Sequence, residues 1–170
     1  ATPLCNTNGQ RDAMRIQGAN GAITKTTPDT SAAPGVPVTY NISAEADLAV
    51  ATPPAQTFPV VDTLPTGMTY VAGSGTPAPV VTTNGSGQQV LTWTFTNVAA
   101  NTAQHITYQA QTAAGSSITP GTVLTNTAEA DVVGDSRPGA ARQASATVTV
   151  PHNGATTLGK SAEANALSFY

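Results

Sequence analysis

Residues 90–96 read VLTWTFT, in which apolar side chains alternate with threonines. This period of two places the apolar side chains on one face of a β-strand and the threonines on the other. The preceding residues 84–87, NGSG, predict a tight hairpin turn, and residues 80–83, VVTT, predict the partner strand. The segment therefore predicts half-buried antiparallel structure. Its position in the apolar row favours a core role for Trp93 over a surface sugar-stacking role.

The same alternation extends outward along the chain, with turn residues about every ten positions. It predicts nine strands, at residues 22–27, 36–44, 57–63, 68–72, 80–83, 90–96, 104–112, 123–132 and 144–150. No crossover helices separate them, so we expect an all-β, immunoglobulin-like antiparallel sandwich over residues 21–150. The apolar faces predict a core of Ile23, Val38, Tyr40, Ile42, Val60, Leu64, Tyr70, Leu91, Trp93, Phe95, Ile106, Tyr108, Leu124 and Ala128.

Two extended segments flank the predicted sandwich. Residues 1–20 are expected to be an N-terminal segment or linker. Residues 158–161, LGKS, resemble residues 23–26, ITKT. Residues 151–170 are therefore interpreted as a linker and the first strand of a further repeat, or as a strand that pairs with a neighbour by β-augmentation.

Composition argues against several classes of function. Only 9% of residues are charged and the net charge is −3, so no basic stripe is available for nucleic acid. No apolar run reaches the roughly 18 residues that a membrane span needs. Cys5 is the single cysteine, which excludes an intrachain disulfide and a cysteine-based metal site. His105 and His152 lack ligand spacing, and no nucleophile motif occurs, so we expect no enzyme and no cofactor.

Polar residues suggest two minor kinds of site. Glu129, Asp131 and Asp135 are weak candidates for a calcium site at the end of a loop, although a solvated face is the favoured interpretation. Asn84 and Asn41 begin glycosylation sequons, and Asn84 is the better acceptor because its turn is predicted to be exposed.

Residues 60–71, VVDTLPTGMTYV, and residues 124–128, LTNTA, resemble the DUF11 repeat, also called the conserved-repeat or B_ant_repeat domain. The resemblance extends to residues 23–26, 35–42, 91–95 and 106–108. It implies an immunoglobulin-like sandwich, often in tandem, in bacterial and archaeal surface proteins, and it implies no catalysis. The chain departs from the family at residues 51–55, ATPPA, where a turn is more usual.

Lys25 on the first strand and Asn126 near the last are similar to the residue pair of intramolecular isopeptide crosslinks in surface sandwiches. That chemistry needs a nearby carboxyl group, for which Asp62 and Glu129 are candidates. Burial would lower the lysine pKa and free the amine as a nucleophile. The alternative, favoured on the sequence alone, places Lys25 and Asn126 at ordinary turn and edge positions.

The sequence thus predicts an extracellular structural module of a microbial surface layer, stalk or filament. Its expected partners are neighbouring repeats or identical subunits, joined at sheet edges or by surface packing. An adhesin-type module that binds glycan or protein through residues 76–83 or 133–141 is the alternative. An accessory domain of a secreted enzyme is a third interpretation.

Overall fold

The computed structural model describes residues 20–48, 54–135 and 137–152. Its strands are β1 (Asn20–Thr26), β2 (Val38–Asp47), β3 (Gln56–Thr63), β4 (Met68–Tyr70), β5 (Val80–Thr83), β6 (Gln89–Val98), β7 (Gln104–Thr112), β8 (Val123–Ala130) and β9 (Gln143–Thr149), with a 3₁₀ turn at Gly139–Arg142 before β9. One antiparallel sheet has the order β1-β2-β7-β4, and the other has the order β5-β6-β3-β8-β9. The predicted sandwich is confirmed, and each predicted strand has its counterpart.

The two sheets enclose one hydrophobic core. Trp93 is 2% exposed, its indole nitrogen donates to the Pro77 carbonyl at 2.8 Å, and its ring lies 5.5 Å from that of Tyr108. The core role of the tryptophan is therefore confirmed. Eleven of the fourteen predicted core residues are buried, while Ile23, Tyr70 and Phe95 are only partly buried because they pack at its margin.

The first strand closes one side of the sandwich by lying against β8 of the opposite sheet. A Cβ atom on Gly21 would lie 2.3 Å from the Ala130 carbonyl oxygen, so this approach requires glycine. The Gly21 amide donates to Asp135 Oδ2 at 2.9 Å, and the Arg137 guanidinium donates to the Gly21 carbonyl at 2.5 Å. The β8–β9 connection therefore holds the start of β1 in place.

Several sequence-based predictions lie outside the described residues. These are the structure of residues 1–19, including Cys5, most of the proline-rich departure at residues 51–55, and the tail from residue 153. In the described part of the chain, no helix is long and apolar enough to cross a membrane.

The close approach of β1 to β8 makes a stability prediction. Gly21→Ala should lower the free energy of unfolding by about 1–3 kcal/mol, because the new methyl group overlaps a main-chain oxygen that cannot move freely. Urea denaturation followed by tryptophan fluorescence measures the change. Gly85→Ala is the matched control: no atom lies within 4 Å of a Cβ atom there, so its effect should stay within about 0.5 kcal/mol. Equal effects of the two substitutions would contradict the packing described for β1.

Candidate functional site

Four polar side chains meet between the sheets. Lys25 on β1 and Tyr108 on β7 come from one sheet, and Asp62 on β3 and Asn126 on β8 come from the other. Each occupies an inward position of its alternating strand. Lys25 is 6% exposed, and the other three are 0% exposed. Ionisable and amide side chains are rarely buried so completely without a specific role.

The Tyr108 hydroxyl lies at the centre of this four-residue cluster. It donates to Asp62 Oδ2 at 2.5 Å and accepts from Asn126 Nδ2 at 2.7 Å and from Lys25 Nζ at 3.1 Å. Lys25 Nζ also donates directly to Asp62 Oδ2. A hydroxyl offers one donor and two acceptor positions, so the bonding capacity of this one is fully used.

Two oxygen atoms of the cluster have no hydrogen-bond partner among the described residues. They are Asp62 Oδ1 and Asn126 Oδ1, the second oxygen of the carboxyl group and the carbonyl oxygen of the amide. A buried acceptor without a donor costs about 1–3 kcal/mol. Protonation of Asp62 would add a donor to this otherwise donor-poor part of the cluster.

Burial sets the protonation of the cluster. It lowers the pKa of Lys25 to about 8, although the charge of Asp62 acts in the opposite direction. It also raises the pKa of Asp62, again against the effect of Lys25. Both shifts favour a neutral amine beside a neutral carboxylic acid. A neutral amine carries the free electron pair that a nucleophile needs.

Aromatic rings surround the lysine. Its Nζ lies 5.0 Å from the ring centroid of Tyr40 and 5.6 Å from that of Tyr108. The two tyrosine rings are stacked with centroids 5.5 Å apart, and Trp93 packs behind Tyr108. These rings favour any residual positive charge on the amine while they keep the cluster apart from solvent.

The structure brings together three residues that the sequence singled out, namely Lys25, Asp62 and Asn126. Lys25 does lie on an edge strand, because β1 is the first strand of its sheet, but both side chains are buried between the sheets, so the alternative that made them ordinary turn and edge residues is wrong. Glu129, the other candidate carboxyl group, instead binds Arg142 at 2.6 Å. Alternation predicted Tyr108 only as a core residue and gave no signal that its hydroxyl belongs to the site.

The candidate calcium ligands do not converge. Among residues 20–48, 54–135 and 137–152, no group of three or more possible ligands is placed to hold a metal. Glu129 is paired with Arg142, and the buried Asp135 carboxylate is paired with Arg137 at 2.7 Å. Arginine thus occupies the carboxylates that a calcium ion would need, and the geometry does not support such a site.

The remaining candidates lie on the outside of the sandwich. His105 and His152 are exposed, as expected for surface histidines. Asn84 is exposed in its hairpin turn, where its Oδ1 accepts from the Ser86 and Gln88 amides. Asn41 lies within β2 and accepts a hydrogen bond from the Thr107 hydroxyl at 2.9 Å, so its side chain is already engaged in the sheet.

Comparison with known proteins supports the fold. No family model matches the sequence, and no curated protein matches it either. Among solved structures, the chain is similar to BcpA, the major pilin subunit of Bacillus cereus, with a TM-score of 0.50 and 15% identity. The match covers 78% of this chain and 40% of BcpA, so the chain spans less than half of that pilin. A BcpA variant gives a TM-score of 0.51 with the same identity and coverage.

A further match is the full-length major pilin SpaD from Corynebacterium diphtheriae, with a TM-score of 0.46, 16% identity, and coverage of 75% of this chain and 33% of SpaD. At 15% identity the two BcpA comparisons show a shared sandwich fold alone and say nothing about the chemistry of the site.

The arrangement provides the components of an acyl transfer. Lys25 supplies an amine, Asn126 supplies an amide carbonyl, and Asp62 is a carboxyl group in contact with the amine. Proton transfer between a nucleophile and a positioned base is the usual way to activate a weak nucleophile. The amine and the amide share one neighbour, because the Tyr108 hydroxyl accepts from both Lys25 Nζ and Asn126 Nδ2.

The contacts of Asp135 and Arg137 with Gly21 hold the start of β1 and are called the β1 anchor here. Their contribution to stability depends on pH because Asp135 is ionisable. Its pKa lies well below the usual 3.8 because Arg137 and two backbone amides donate to the carboxylate. A carboxyl group whose pKa falls on folding stabilises the protein above its ordinary pKa and loses that effect as the pH drops toward the folded value.

Asp135→Asn should therefore be less stable than the parent protein at pH 7, by a margin that shrinks as the pH falls below 3.8. Chemical denaturation across this pH range measures the margin. Asp131→Asn is the control, since its side chain is 59% exposed. A margin for Asp135→Asn that does not change with pH would show that the charge of Asp135 does not stabilise the anchor.

Proposed function

We propose that this chain is a structural module of a microbial cell-surface assembly, and that its fold is closed by a covalent bond between Lys25 and Asn126. The bond forms autocatalytically inside the folded module, with Asp62 as the acid and base. The observation that carries the proposal is the burial of amine, carboxyl and amide in one cluster between the sheets.

The proposed reaction is a transamidation that needs no co-reactant. Lys25 transfers a proton to Asp62, and the neutral amine attacks Cγ of Asn126. Negative charge develops on Asn126 Oδ1 as the new C–N bond forms. The bond from Cγ to Nδ2 then breaks, and the departing nitrogen takes up both protons that the lysine nitrogen has lost, one as it leaves and one afterwards. An isopeptide bond and one ammonium ion are the products.

The electrostatics of the cluster support this reaction. The lowered pKa of Lys25 and the raised pKa of Asp62 have the same cause, burial, and both favour the proton transfer that creates the nucleophile. The enclosed site also fixes amine and amide in one small volume, which replaces an improbable encounter by an intramolecular step.

The product would tie the two sheets together. Lys25 belongs to the sheet that begins with β1, whereas Asn126 belongs to β8 in the opposite sheet. The bond closes a loop of roughly 100 residues, for which the chain-entropy model gives a stabilisation of about 4.7 kcal/mol. Tension applied to the two ends of the chain would pass through this bond without stretching the strands between Lys25 and Asn126. Such a module suits a stalk or filament.

The cell-surface role has three further supports. The fold is shared with major pilin subunits. Only 9% of residues are charged, so the polar surface consists mainly of uncharged side chains that suit packing against other copies. The resemblance of residues 60–71 to the DUF11 repeat points to extracellular surface proteins and stays a prediction.

The adhesin alternative receives no specific support from the described residues. Its expected signature is an exposed aromatic cluster at the loops. In the part of the chain that the structure describes, the exposed large hydrophobic residues are all valines, namely Val36, Val80, Val81, Val123 and Val133. The structural role is therefore the function that the geometry supports better.

The covalent bond predicts a mass deficit. The intact folded protein should be lighter than its sequence mass by one ammonia molecule. Lys25→Met and Asp62→Ala should each restore the full sequence mass, because the first removes the nucleophile and the second removes its base. Electrospray mass spectrometry under denaturing conditions measures the difference.

Lys160 provides the matched control, because the chain contains only two lysines. Lys160→Met should keep the deficit. Full sequence mass in the folded parent protein would rule out the crosslink. Loss of the mass deficit in Lys160→Met would show that Lys160, and not Lys25, forms the bond.

Assembly through sheet edges is the proposed mode of contact between copies or neighbouring repeats. Strand β5 is an edge strand, and its Val80 is 66% exposed. Unpaired backbone groups at such an edge accept an additional strand. Residues 155–170, with their resemblance to the first strand, are the proposed donor.

Deletion of residues 155–170 should abolish self-association at high concentration while the isolated module keeps its fold. Sedimentation velocity measures the association, and circular dichroism checks the fold. Unchanged association after the deletion would show that the tail does not add to a neighbouring sheet.

A further inference from the structure

We propose that Tyr108 is a catalytic residue of this crosslinking reaction, in which its hydroxyl relays a proton from Asp62 to the departing nitrogen of Asn126. The inference deepens the proposed function and rests on it. It concerns a residue that is 0% exposed and that touches every reacting group through one oxygen atom.

The connectivity of the hydrogen bonds carries the inference, and both bonds reverse direction once the attacked nitrogen can accept a proton and the protonated Asp62 can donate one. The nitrogen that must leave, Asn126 Nδ2, is bonded to the Tyr108 oxygen at 2.7 Å. The same oxygen donates its proton to Asp62 Oδ2 at 2.5 Å. No hydrogen bond joins Asp62 to Asn126 among the described residues. The tyrosine hydroxyl is therefore the group that connects the acid to the leaving nitrogen.

Each proton that moves in the relay has a named donor and a named acceptor. After proton transfer from Lys25, Asp62 is a carboxylic acid and the amine has attacked Cγ of Asn126. As the bond from Cγ to Nδ2 breaks, its electron pair stays on the nitrogen, which takes the Tyr108 proton. Tyr108 recovers a proton from Asp62 Oδ2. The new amide nitrogen then gives its extra proton back to Asp62, which passes it to the departing ammonia.

In its buried environment the Tyr108 hydroxyl can relay a proton but is not suited to act as a base. Burial, and next the negative charge of Asp62, raise the pKa of Tyr108 far above its usual value, so the hydroxyl stays protonated. A neutral hydroxyl can accept one proton while it gives up another without a lasting charge. Its ring stacks on Tyr40 and packs at a tilt against Trp93, and these contacts fix the position of the oxygen.

Tyr108→Phe tests the inference, because it removes the hydroxyl and keeps the ring. Uncrosslinked protein is recovered from inclusion bodies in denaturant, and refolding is started by dilution. The mass deficit is followed in acid-quenched samples. The rate of crosslinking should fall by about 100-fold or more, in line with the loss of a positioned acid–base group. Circular dichroism confirms folding of the variant.

Tyr70→Phe is the matched control. Its ring packs 6.4 Å from that of Tyr108, but its hydroxyl accepts from the Gly75 amide and is not bonded to the cluster. It should crosslink at the parent rate. Crosslinking of folded Tyr108→Phe at the parent rate would overturn the relay and leave the proposed function intact. A parent protein that never loses ammonia would overturn the proposed function itself.

A solvent isotope measurement separates relay from positioning and does not require the variant to fold. In mixtures of light and heavy water, two protons moving together should give the parent reaction a curved dependence of rate on deuterium fraction. Tyr108→Phe, where it folds, should give a linear dependence. A linear dependence in the parent protein would overturn the relay.

Discussion

Lys25 and Asp62 form a buried, hydrogen-bonded pair between the two sheets. Removing two charges from water is costly, and apolar residues of similar volume often serve a core equally well or better. A module that needed only stability would gain little from such a pair. The same burial that makes the pair a poor stabiliser shifts both groups toward their neutral forms, and a neutral amine carries the electron pair that the proposed reaction needs.

The fold places this pair in one buried cluster with the Asn126 amide, the group that the proposed reaction would attack. Strand β1 lies against β8, so the first strand of one sheet faces a strand of the other at the side of the sandwich that β1 closes. The absence of a side chain at Gly21 permits the approach, and Asp135 with Arg137 anchors it. Tyr108 completes the site from the middle of the first sheet. The close approach at Gly21, the contacts of Asp135 and Arg137, and the buried cluster that contains Lys25 therefore all involve strand β1.

Much of this could be predicted from alternation alone. Asp62 lies between Val60 and Leu64, and Asn126 lies between Leu124 and Ala128, so a period of two already turns both polar side chains inward with the core. Applied to Asn126, that signal contradicts the turn or edge position that the sequence analysis favoured. The order of strands in a sheet depends on contacts between distant parts of the chain, which alternation does not predict. Alternation therefore could not show that these residues meet or that Glu129 pairs with Arg142. The role of the Tyr108 hydroxyl likewise depends on contacts across the two sheets.

The covalent bond between two strands of opposite sheets should be visible in a crystal structure of the folded module. The electron density should be continuous from Lys25 Nζ to Cγ of Asn126, with Asp62 hydrogen-bonded to the new amide group. Separate side chains, with an intact Asn126 amide and Lys25 held only by Asp62, would contradict it.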